Sequence, residues 1–282
     1  MSICEICGSF KWVRYARLSA RLFGAPYEIF LCAGCGIGKT VPLPSIAIAD
    51  YVESDRPDAV SEATLQAAHS AVGEIIKVFR SLYGRPPKSI IDVGCGNGLM
   101  LLTAKAHGLL THGIEPSRNM CINSRSKGLS VSECGLEDFS DYDSFDIVVL
   151  NSVLEHLPDP SFVLKFLSNQ TSGDAMLVFQ QATYDGLIPR LFRHLWYGWA
   201  PSEHFWHFSE SSFRRLLSAN NLLCKSAVRT NLHYQFLPLS AIVHWKSFTL
   251  TTVMKVLSIG AHIVRRGDSV TFFVTRKHPH SG

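Results

Sequence analysis

The 282-residue sequence is poor in charged residues and has no long uninterrupted apolar run. Charged residues make up 18% of the chain and the formal net charge is +4, so composition does not indicate nucleic acid as the main partner. The longest apolar stretch, residues 247–264, contains a lysine, a histidine and small polar residues, which predicts an amphipathic helix within about 238–264 and no stable membrane insertion. The opening residues, MSICEICGSF, lack the basic start and apolar run of a secretory signal, so we expect a reducing, cytoplasmic location.

The glycine-rich turn in IDVGCGNGLM lacks two common nucleotide-binding fingerprints. A dinucleotide fingerprint counted from Gly94 needs a glycine at position 99, where leucine stands, and the lysine of a phosphate-binding P-loop is absent. The glycines instead alternate at positions 94, 96 and 98, after Asp92. Glu115 ends the next β-rich run, where a carboxylate can accept hydrogen bonds from both hydroxyls of a ribose.

Short β-rich runs alternate with helical stretches from residue 88 onward. This alternation predicts an α/β fold whose mostly parallel sheet has helices on both faces. Apolar residues at helical spacing between residues 58 and 83 predict a preceding amphipathic helix, and SVTFFVTRK predicts a last strand near the sheet edge. The two prolines of TVPLPS mark a boundary, so the expected domains are residues 1–45 and 58–282.

Four of the eight cysteines form two matched pairs, Cys4-x2-Cys7 and Cys32-x2-Cys35, each followed by glycine. Paired CxxCG turns are typical of zinc ribbons, because backbone N–H groups of each turn point at the thiolates and glycine relieves the tight backbone. Four thiolates complete a tetrahedral shell, so we expect a structural zinc with no open position for a substrate. The alternative is a set of unrelated buried or redox-active cysteines.

The segment between the two cysteine pairs mixes basic and aromatic residues, namely Lys11, Trp12, Arg14, Tyr15, Arg17, Arg21 and Phe23. Two interpretations stay open. Basic and aromatic residues together can bind nucleic acid, or the segment is a solvated hairpin whose aromatic side chains pack on the main domain. The short length and the modest net charge favour the hairpin.

With these motifs in register, residues 70 to 282 resemble the class I S-adenosylmethionine (SAM)-dependent methyltransferases. The motifs that carry the resemblance are IDVGCGNG, GIEPS, SFDIVVLNSVLEHLPDP (residues 144–160) and SEHFWHFSESSFRRLL (residues 202–217). The resemblance implies a Rossmann-like, doubly wound, mostly parallel sheet of seven strands, an inserted cap segment at about 184–208, and SAM as the methyl donor. The N-terminal block is similar to the zinc-ribbon heads that precede many small-molecule methyltransferases.

The same resemblance implies how SAM is bound. The glycines of the turn let the backbone approach the methionine part, Asp92 helps to hold its ammonium group, and Glu115 binds the ribose. Glycine stands at position 135, where many relatives have an acidic residue near the adenine, so this contact is expected from the backbone of Leu136 or from Glu137. The expected cofactor-binding residues are Asp92, Gly94, Cys95, Gly96, Gly98, Glu115, Leu136, Glu137 and Asn151.

A hydroxyl acceptor must lose a proton before or during methyl transfer, which calls for a general base near the methyl group. The candidates are His156 in LEHLPDP, and His204 and His207 in EHFWHFS. Each of them has a structural alternative, either bracing the next helix or filling the core of the cap. A metal site made of His194, His204 and His207 is a weaker hypothesis, because only Glu203 supplies a nearby carboxylate.

The tryptophans of residues 184–208 predict either the wall of an acceptor pocket or packing of the cap on the sheet. Arg190 and Arg193 are candidates for binding a phosphate or carboxylate, or else belong to a solvated helix face. The sequence therefore predicts methyl transfer to a small-molecule or sugar-linked, glycan-precursor acceptor, at oxygen rather than carbon. The open alternatives are an RNA methyltransferase and a non-catalytic SAM-binding protein. RNA is disfavoured because Asn151-Ser152 does not continue as the Asn-Pro-Pro-aromatic run used for amino groups of bases.

Overall fold

The computed structural model describes residues 2–44, 60–230 and 266–277. In chain order, the strands and α-helices are β1 (Trp12–Leu18), α1 (Ala20–Phe23), β2 (Tyr27–Cys32), β3 (Gly38–Val41), α2 (Glu62–Tyr83), β4 (Ser89–Val93), α3 (Leu99–Ala106), β5 (Leu110–Glu115), α4 (Arg118–Ser126), β6 (Val131–Glu133), β7 (Ile147–Asn151), α5 (Pro160–Gln170), β8 (Met176–Ala182), α6 (Leu187–Phe192), β9 (Trp206–His207), α7 (Glu210–Ala219), β10 (Leu222–Thr230) and β11 (Ser269–Arg276).

The larger sheet has seven strands in the order β10-β11-β8-β7-β4-β5-β6. Strands β4 to β8 are parallel to one another, whereas β11 is antiparallel to both β8 and β10. The chain leaves β4 toward β5 and β6 and later returns to β7 on the other side of β4. This reversal creates a crevice at the carboxyl ends of β4 and β7, where open α/β sheets bind ligands.

Helices cover both faces of this sheet because its central strands are apolar on both sides. Ile90 of β4 packs with α2 and α3, and its neighbour Ile91 packs with α5 and α7 on the opposite face. Helix α2 begins at its cap Ser61, whose side chain accepts a hydrogen bond from the Thr64 N–H at 3.2 Å. It ends at Gly84, which has a φ of +67°.

The smaller sheet joins the cysteine-bearing N-terminal segment to the methyltransferase-like body. Its order is β1-β2-β3-β9, so the last strand comes from the predicted cap segment. Strands β3 and β9 are antiparallel, with Gly38 opposite His207 and Lys39 opposite Trp206. Cys4, Cys32 and Cys35 are buried in the same apolar core as Trp206 and as helix α7.

The expected doubly wound, mostly parallel seven-stranded sheet with a small N-terminal unit is thus confirmed. The last strand, β11, lies one position in from the edge, with β10 outside it. The boundary region 45–59 and the helix expected within 238–264 lie outside the described residues. Among the helices that the structure does describe, none combines the length and apolarity needed to cross a bilayer.

Candidate functional site

The glycine turn follows β4 directly and is held against the end of β5. The Gly94 and Cys95 N–H groups both donate to the Ile114 carbonyl, at 2.7 and 3.1 Å. Gly96 has a φ of +53°, and a Cβ placed on it would meet no described protein atom within 4 Å. A Cβ on Gly98 would instead approach Leu129 Cδ1 to 2.3 Å. Gly98 is therefore required for packing, whereas Gly96 has open space beside it at the carboxyl end of β4.

Two buried carboxylates lie beside this turn. Glu115 accepts hydrogen bonds from the N–H groups of Gly96 and Ser117, both at 2.8 Å, and is 2% exposed. Asp92 is 3% exposed, and its Oδ1 has no hydrogen-bond partner among the described residues. Burial, and to a lesser degree the negative charge of Glu115, raises the pKa of Asp92 to about 8. A buried carboxylate oxygen of this kind fits a cationic group such as the ammonium of SAM.

The remaining residues expected to bind the cofactor follow neighbouring strands. Leu136 and Glu137 lie on a short 3-10 helix after β6; Leu136 is half-buried and Glu137 is exposed. Asn151 is the half-buried last residue of β7, and the next residue, Ser152, has a left-handed φ of +54°. Cys95 is buried in an apolar cluster with helices α3 and α4. All of these residues therefore lie at the carboxyl edge formed by β7, β4, β5 and β6.

A second group of polar side chains converges just beyond β7. The ligand atoms of Glu155, His156 and His204 all lie within 4.8 Å of one another. The two imidazole rings meet edge to face, with centroids 4.6 Å apart. Glu155 is 3% exposed, and burial raises the pKa of its carboxyl group to about 7. Glu155 is not among the site residues predicted from the sequence, although its position directly before His156, just after a predicted strand, is a signal for it.

Backbone contacts fix the geometry of this second group. The Phe205 N–H donates to the Glu155 carbonyl at 2.9 Å. His156 Nδ1 lies 3.2 Å from the Glu203 carbonyl, and His204 Nδ1 lies 3.1 Å from the Gly198 carbonyl. Since a carbonyl only accepts, both Nδ1 atoms are the protonated nitrogens, and Nε2 carries the lone pair in each neutral ring.

His207 is placed apart from this group. It is 3% exposed in β9, and its Nε2 lies 2.8 Å from the hydroxyl oxygen of Thr40. That hydroxyl donates its proton to the His204 carbonyl at 2.7 Å, so it accepts from the His207 Nε2–H. Burial lowers the pKa of His207 to about 3. A neutral, buried imidazole engaged by Thr40 favours a positioning role over that of a general base.

The aromatic residues of the cap pack onto the N-terminal sheet. Trp196 and Trp199 are buried in a cluster with Leu18 and Ile29. Tyr15 contacts Trp199 edge to face, with ring centroids 5.9 Å apart. The packing interpretation of these two tryptophans and of the ribbon aromatics is therefore the one the structure supports.

The basic residues of the same region have other partners or face solvent. Arg14 and Arg17 each lie 3.1 Å from Glu28, so part of the basic character of the ribbon hairpin is neutralised locally. Arg193 stacks over the Tyr15 ring at 5.4 Å, and Arg190 is exposed. His194 is also exposed and is not grouped with His204. The described residues therefore do not form the metal site of His194, His204 and His207.

The two cysteine pairs converge as their spacing predicts. Cys4 Sγ lies 3.7 Å from Cys35 Sγ, and Cys7 Sγ lies 3.5 Å from Cys32 Sγ. Four sulfurs placed about 2.3 Å from a tetrahedral zinc are separated by about 3.8 Å. The observed separations match that shell and are far longer than a disulfide bond of about 2.05 Å. The four thiols thus fit a structural zinc.

Comparisons with known proteins agree with this geometry. Ubiquinone biosynthesis O-methyltransferase of Shewanella sp. (strain ANA-3) is 23% identical over 157 residues, which cover 50% of this chain and 66% of that protein. tRNA U34 carboxymethyltransferase of Aliivibrio salmonicida (strain LFI1238) is 31% identical over 108 residues, covering 35% and 33%. The chain thus spans less than two thirds of the length of the curated relatives it matches.

A solved structure and a family model extend the similarity over most of the fold. The plantazolicin methyltransferase BpumL, in complex with a monoazolic desmethylPZN analog and SAH, superimposes with a TM-score of 0.54 and 13% identity, covering 76% of this chain and 86% of that one. At this identity the likeness shows the fold alone. A model described as a methyltransferase domain matches residues 62–226, more than half of the chain. Because that match includes the glycine turn and every parallel strand of the large sheet, the chain belongs to the methyltransferase-domain family, and its fold is that of the class I SAM-dependent methyltransferases.

Proposed function

We propose that this methyltransferase acts on a hydroxyl oxygen of a small-molecule or glycan-precursor acceptor. The observation that carries the proposal is the convergence of Glu155, His156 and His204 just beyond β7, the strand next to the one that bears the glycine turn. A hydroxyl needs such groups to lose its proton, whereas a thiol or carboxylate acceptor needs little help. Among the relatives, the ubiquinone biosynthesis enzymes carry O-methyltransferase in their names.

The chemistry assigns distinct tasks to the two halves of the site. When bound, SAM supplies an electrophilic methyl group on a sulfonium, and the sulfur keeps the electron pair of the broken S–CH3 bond as the new O–CH3 bond forms. The protein aligns the two reactants and keeps water away. It also provides the path by which the hydroxyl proton leaves, for which His156 and His204 are the proposed residues.

On the donor side, the proposed contacts follow the carboxyl edge of the sheet. Asp92 holds the ammonium group and Glu115 the ribose, while the open side of Gly96 admits the methionine part. Gly94, Gly98 and Cys95 shape the turn. Leu136 and Glu137 border the adenine, and Asn151 ends β7 beside the donor.

The cysteine cluster is proposed to hold a structural zinc that stabilises the N-terminal sheet. The sulfur separations support this assignment, since they match a tetrahedral shell. All eight cysteines are free thiols, which suits the reducing, cytoplasmic setting that we propose for the chain. In the N-terminal sheet, the Thr40 hydroxyl contacts both His207 and the carbonyl of His204. It thereby connects this sheet to the proposed acceptor side.

Methylation of RNA is the second candidate, favoured by the match to a tRNA-modifying relative. The ribbon hairpin gives it little support, because Glu28 pairs with both Arg14 and Arg17. We therefore retain a small molecule as the proposed acceptor.

The donor half of the proposal is tested by calorimetric titration of SAM into Gly96→Ala and Gly108→Ala variants. Both glycines have a positive φ, +53° and +84°, and neither has a protein atom within 4 Å of an added Cβ, so the backbone strain is matched. We expect Gly96→Ala to weaken SAM binding at least tenfold, because its methyl group enters the space of the cofactor, and Gly108→Ala to bind as wild type. Equal affinities in the two variants would remove the turn from the site.

The acceptor half is tested with methyl-labelled SAM and a panel of phenols, sugar nucleotides, amines and short RNAs. We expect label only in hydroxyl compounds, with the methyl group on oxygen by NMR of the product. A product methylated at nitrogen or carbon contradicts the proposed acceptor class, and labelled RNA selects the second candidate.

A further inference from the structure

The three side chains beyond β7 have the composition of a metal-binding site. Glu155 and His156 end a short 3-10 helix, and His204 comes from the cap segment just before β9. Their ligand atoms lie within 4.8 Å of one another, which is the spacing of groups that share a single cation. Two imidazoles and one carboxylate form a donor set typical of Zn²⁺, Mn²⁺ and Fe²⁺ sites.

Both histidines make a backbone contact that is common among metal-binding histidines. Each donates its Nδ1–H to a backbone carbonyl, His156 to Glu203 and His204 to Gly198. In metal sites such a hydrogen bond fixes the ring and its tautomer and makes the other nitrogen a better ligand. Here it leaves Nε2 as the nitrogen that carries the lone pair in each ring.

Glu155 supplies an independent indication. It is 3% exposed, and its Oε2 is buried without a hydrogen-bond partner in the described part of the chain; the buried side chain of Gln181 is its polar neighbour. A carboxylate in such a place is costly unless a cation or a hydrogen-bond donor compensates for it. Its main-chain carbonyl is already fixed by the Phe205 N–H, so the side chain is held beside the segment that carries His204.

We propose that Glu155, His156 and His204 bind one divalent transition-metal cation, which leaves coordination positions open for the oxygen of the acceptor. This inference rests on the proposed function and refines it. In this refinement the cation takes over the task that was assigned above to the two imidazoles: it lowers the pKa of the acceptor hydroxyl, the released proton passes to solvent before the methyl group is transferred, and the imidazoles act as ligands. This site would differ from the four-cysteine cluster, because four thiolates fill the coordination shell of a zinc ion and leave no position for a substrate.

The test is metal binding by protein whose cysteine cluster is already filled with zinc. Mn²⁺ is titrated and followed by the loss of its free-ion EPR signal, and Co²⁺ is titrated and followed by its visible d–d absorption. We expect about one cation per chain, with no thiolate charge-transfer band in the Co²⁺ spectrum, since the ligands are nitrogen and oxygen. Glu155→Gln, His156→Ala and His204→Ala should each weaken binding at least tenfold.

His194→Ala is the matched control, because His194 is an exposed histidine of the same cap segment and is outside the cluster. SAM affinity, measured by calorimetry, shows that each variant is folded and separates this inference from the proposed function. Wild-type protein that binds SAM but neither Mn²⁺ nor Co²⁺ overturns the cation site alone. If His194→Ala lost metal to the same extent as the three cluster variants, the cation site would also be overturned. Metal binding without any methylated hydroxyl compound would contradict only the proposed acceptor.

Discussion

Thr40 connects the N-terminal sheet to the proposed acceptor side, and its replacement by valine tests that connection. The side chain is fully buried in β3. Its hydroxyl donates to the His204 carbonyl at 2.7 Å and lies 2.8 Å from His207 Nε2. Valine has nearly the same shape but can make neither bond, so Thr40→Val removes one hydrogen bond from the buried His207 N–H and one from the partly buried His204 carbonyl.

The expected cost follows from those two groups. A buried polar group left unsatisfied costs about 1–3 kcal/mol, so we expect Thr40→Val to lower the free energy of unfolding by about 2–4 kcal/mol. Thr40→Ser is the matched control, because it keeps the hydroxyl and removes one methyl group, which costs about 1 kcal/mol. At about 2–4 °C per kcal/mol for a domain of this size, Thr40→Val should melt roughly 5–15 °C below wild type.

The assay is thermal and urea unfolding followed by circular dichroism, together with SAM titration and methyl-transfer rate. Thr40 is in contact with His204 and not with the glycine turn, so SAM affinity should stay at the wild-type value in both variants. The transfer rate should fall in Thr40→Val and be largely kept in Thr40→Ser. If the two variants have the same stability and the same rate, the hydroxyl does not connect the ribbon to the acceptor side and the argument is refuted.

Two further predictions concern the cofactor carboxylate and the cysteine cluster. The pKa of Asp92 is raised to about 8 by burial, so this group destabilises the SAM-free protein progressively as pH rises from about 4 to about 8. SAM binding at pH 7 should therefore release about one proton, measured by calorimetry in buffers of different ionisation enthalpy; Asp92→Asn should abolish the release. Metal analysis of protein purified under reducing conditions should give about one zinc per chain, lost in Cys35→Ser and kept in Cys224→Ser, whose thiol lies on β10. Zinc retained by Cys35→Ser would contradict the assignment of Cys35 as a zinc ligand.

The placement of the residues proposed to bind the cofactor could be predicted from the sequence because its signals are local. Asp92, the alternating glycines and Glu115 each follow a buried strand directly, and parallel strands bring their carboxyl ends to one edge of the sheet. The cysteine pairs are similar, since each CxxCG turn encodes its own geometry. In both cases the residues that act together are either adjacent in sequence or placed by the regular repeat of the fold.

The acceptor half could not be predicted in the same way, because its residues come from distant segments. The sequence suggested grouping His204 with His207, since they are close in the chain. The structure instead places His204 against Glu155 and His156, and buries His207 beside Thr40. The short pairing of β3 with β9 decides this arrangement, and strands of so few residues have no recognisable period.

The surroundings of Gly38 show how closely the N-terminal sheet is packed against β9, the strand that follows His204. Gly38 lies opposite His207 in the β3–β9 pair, and a Cβ at this position would approach His207 Cβ to 2.8 Å and the His207 carbonyl oxygen to 3.2 Å. Any side chain at position 38 must therefore displace β9, and with it the backbone that carries His204. Because Cys35 and Thr40 flank this glycine on the same segment, the thiol cluster fixes the register of β3, and β3 in turn fixes the position of an acceptor-side histidine. If the proposed function holds, a change in the N-terminal sheet alters the position of His204 without involving the residues proposed to bind SAM.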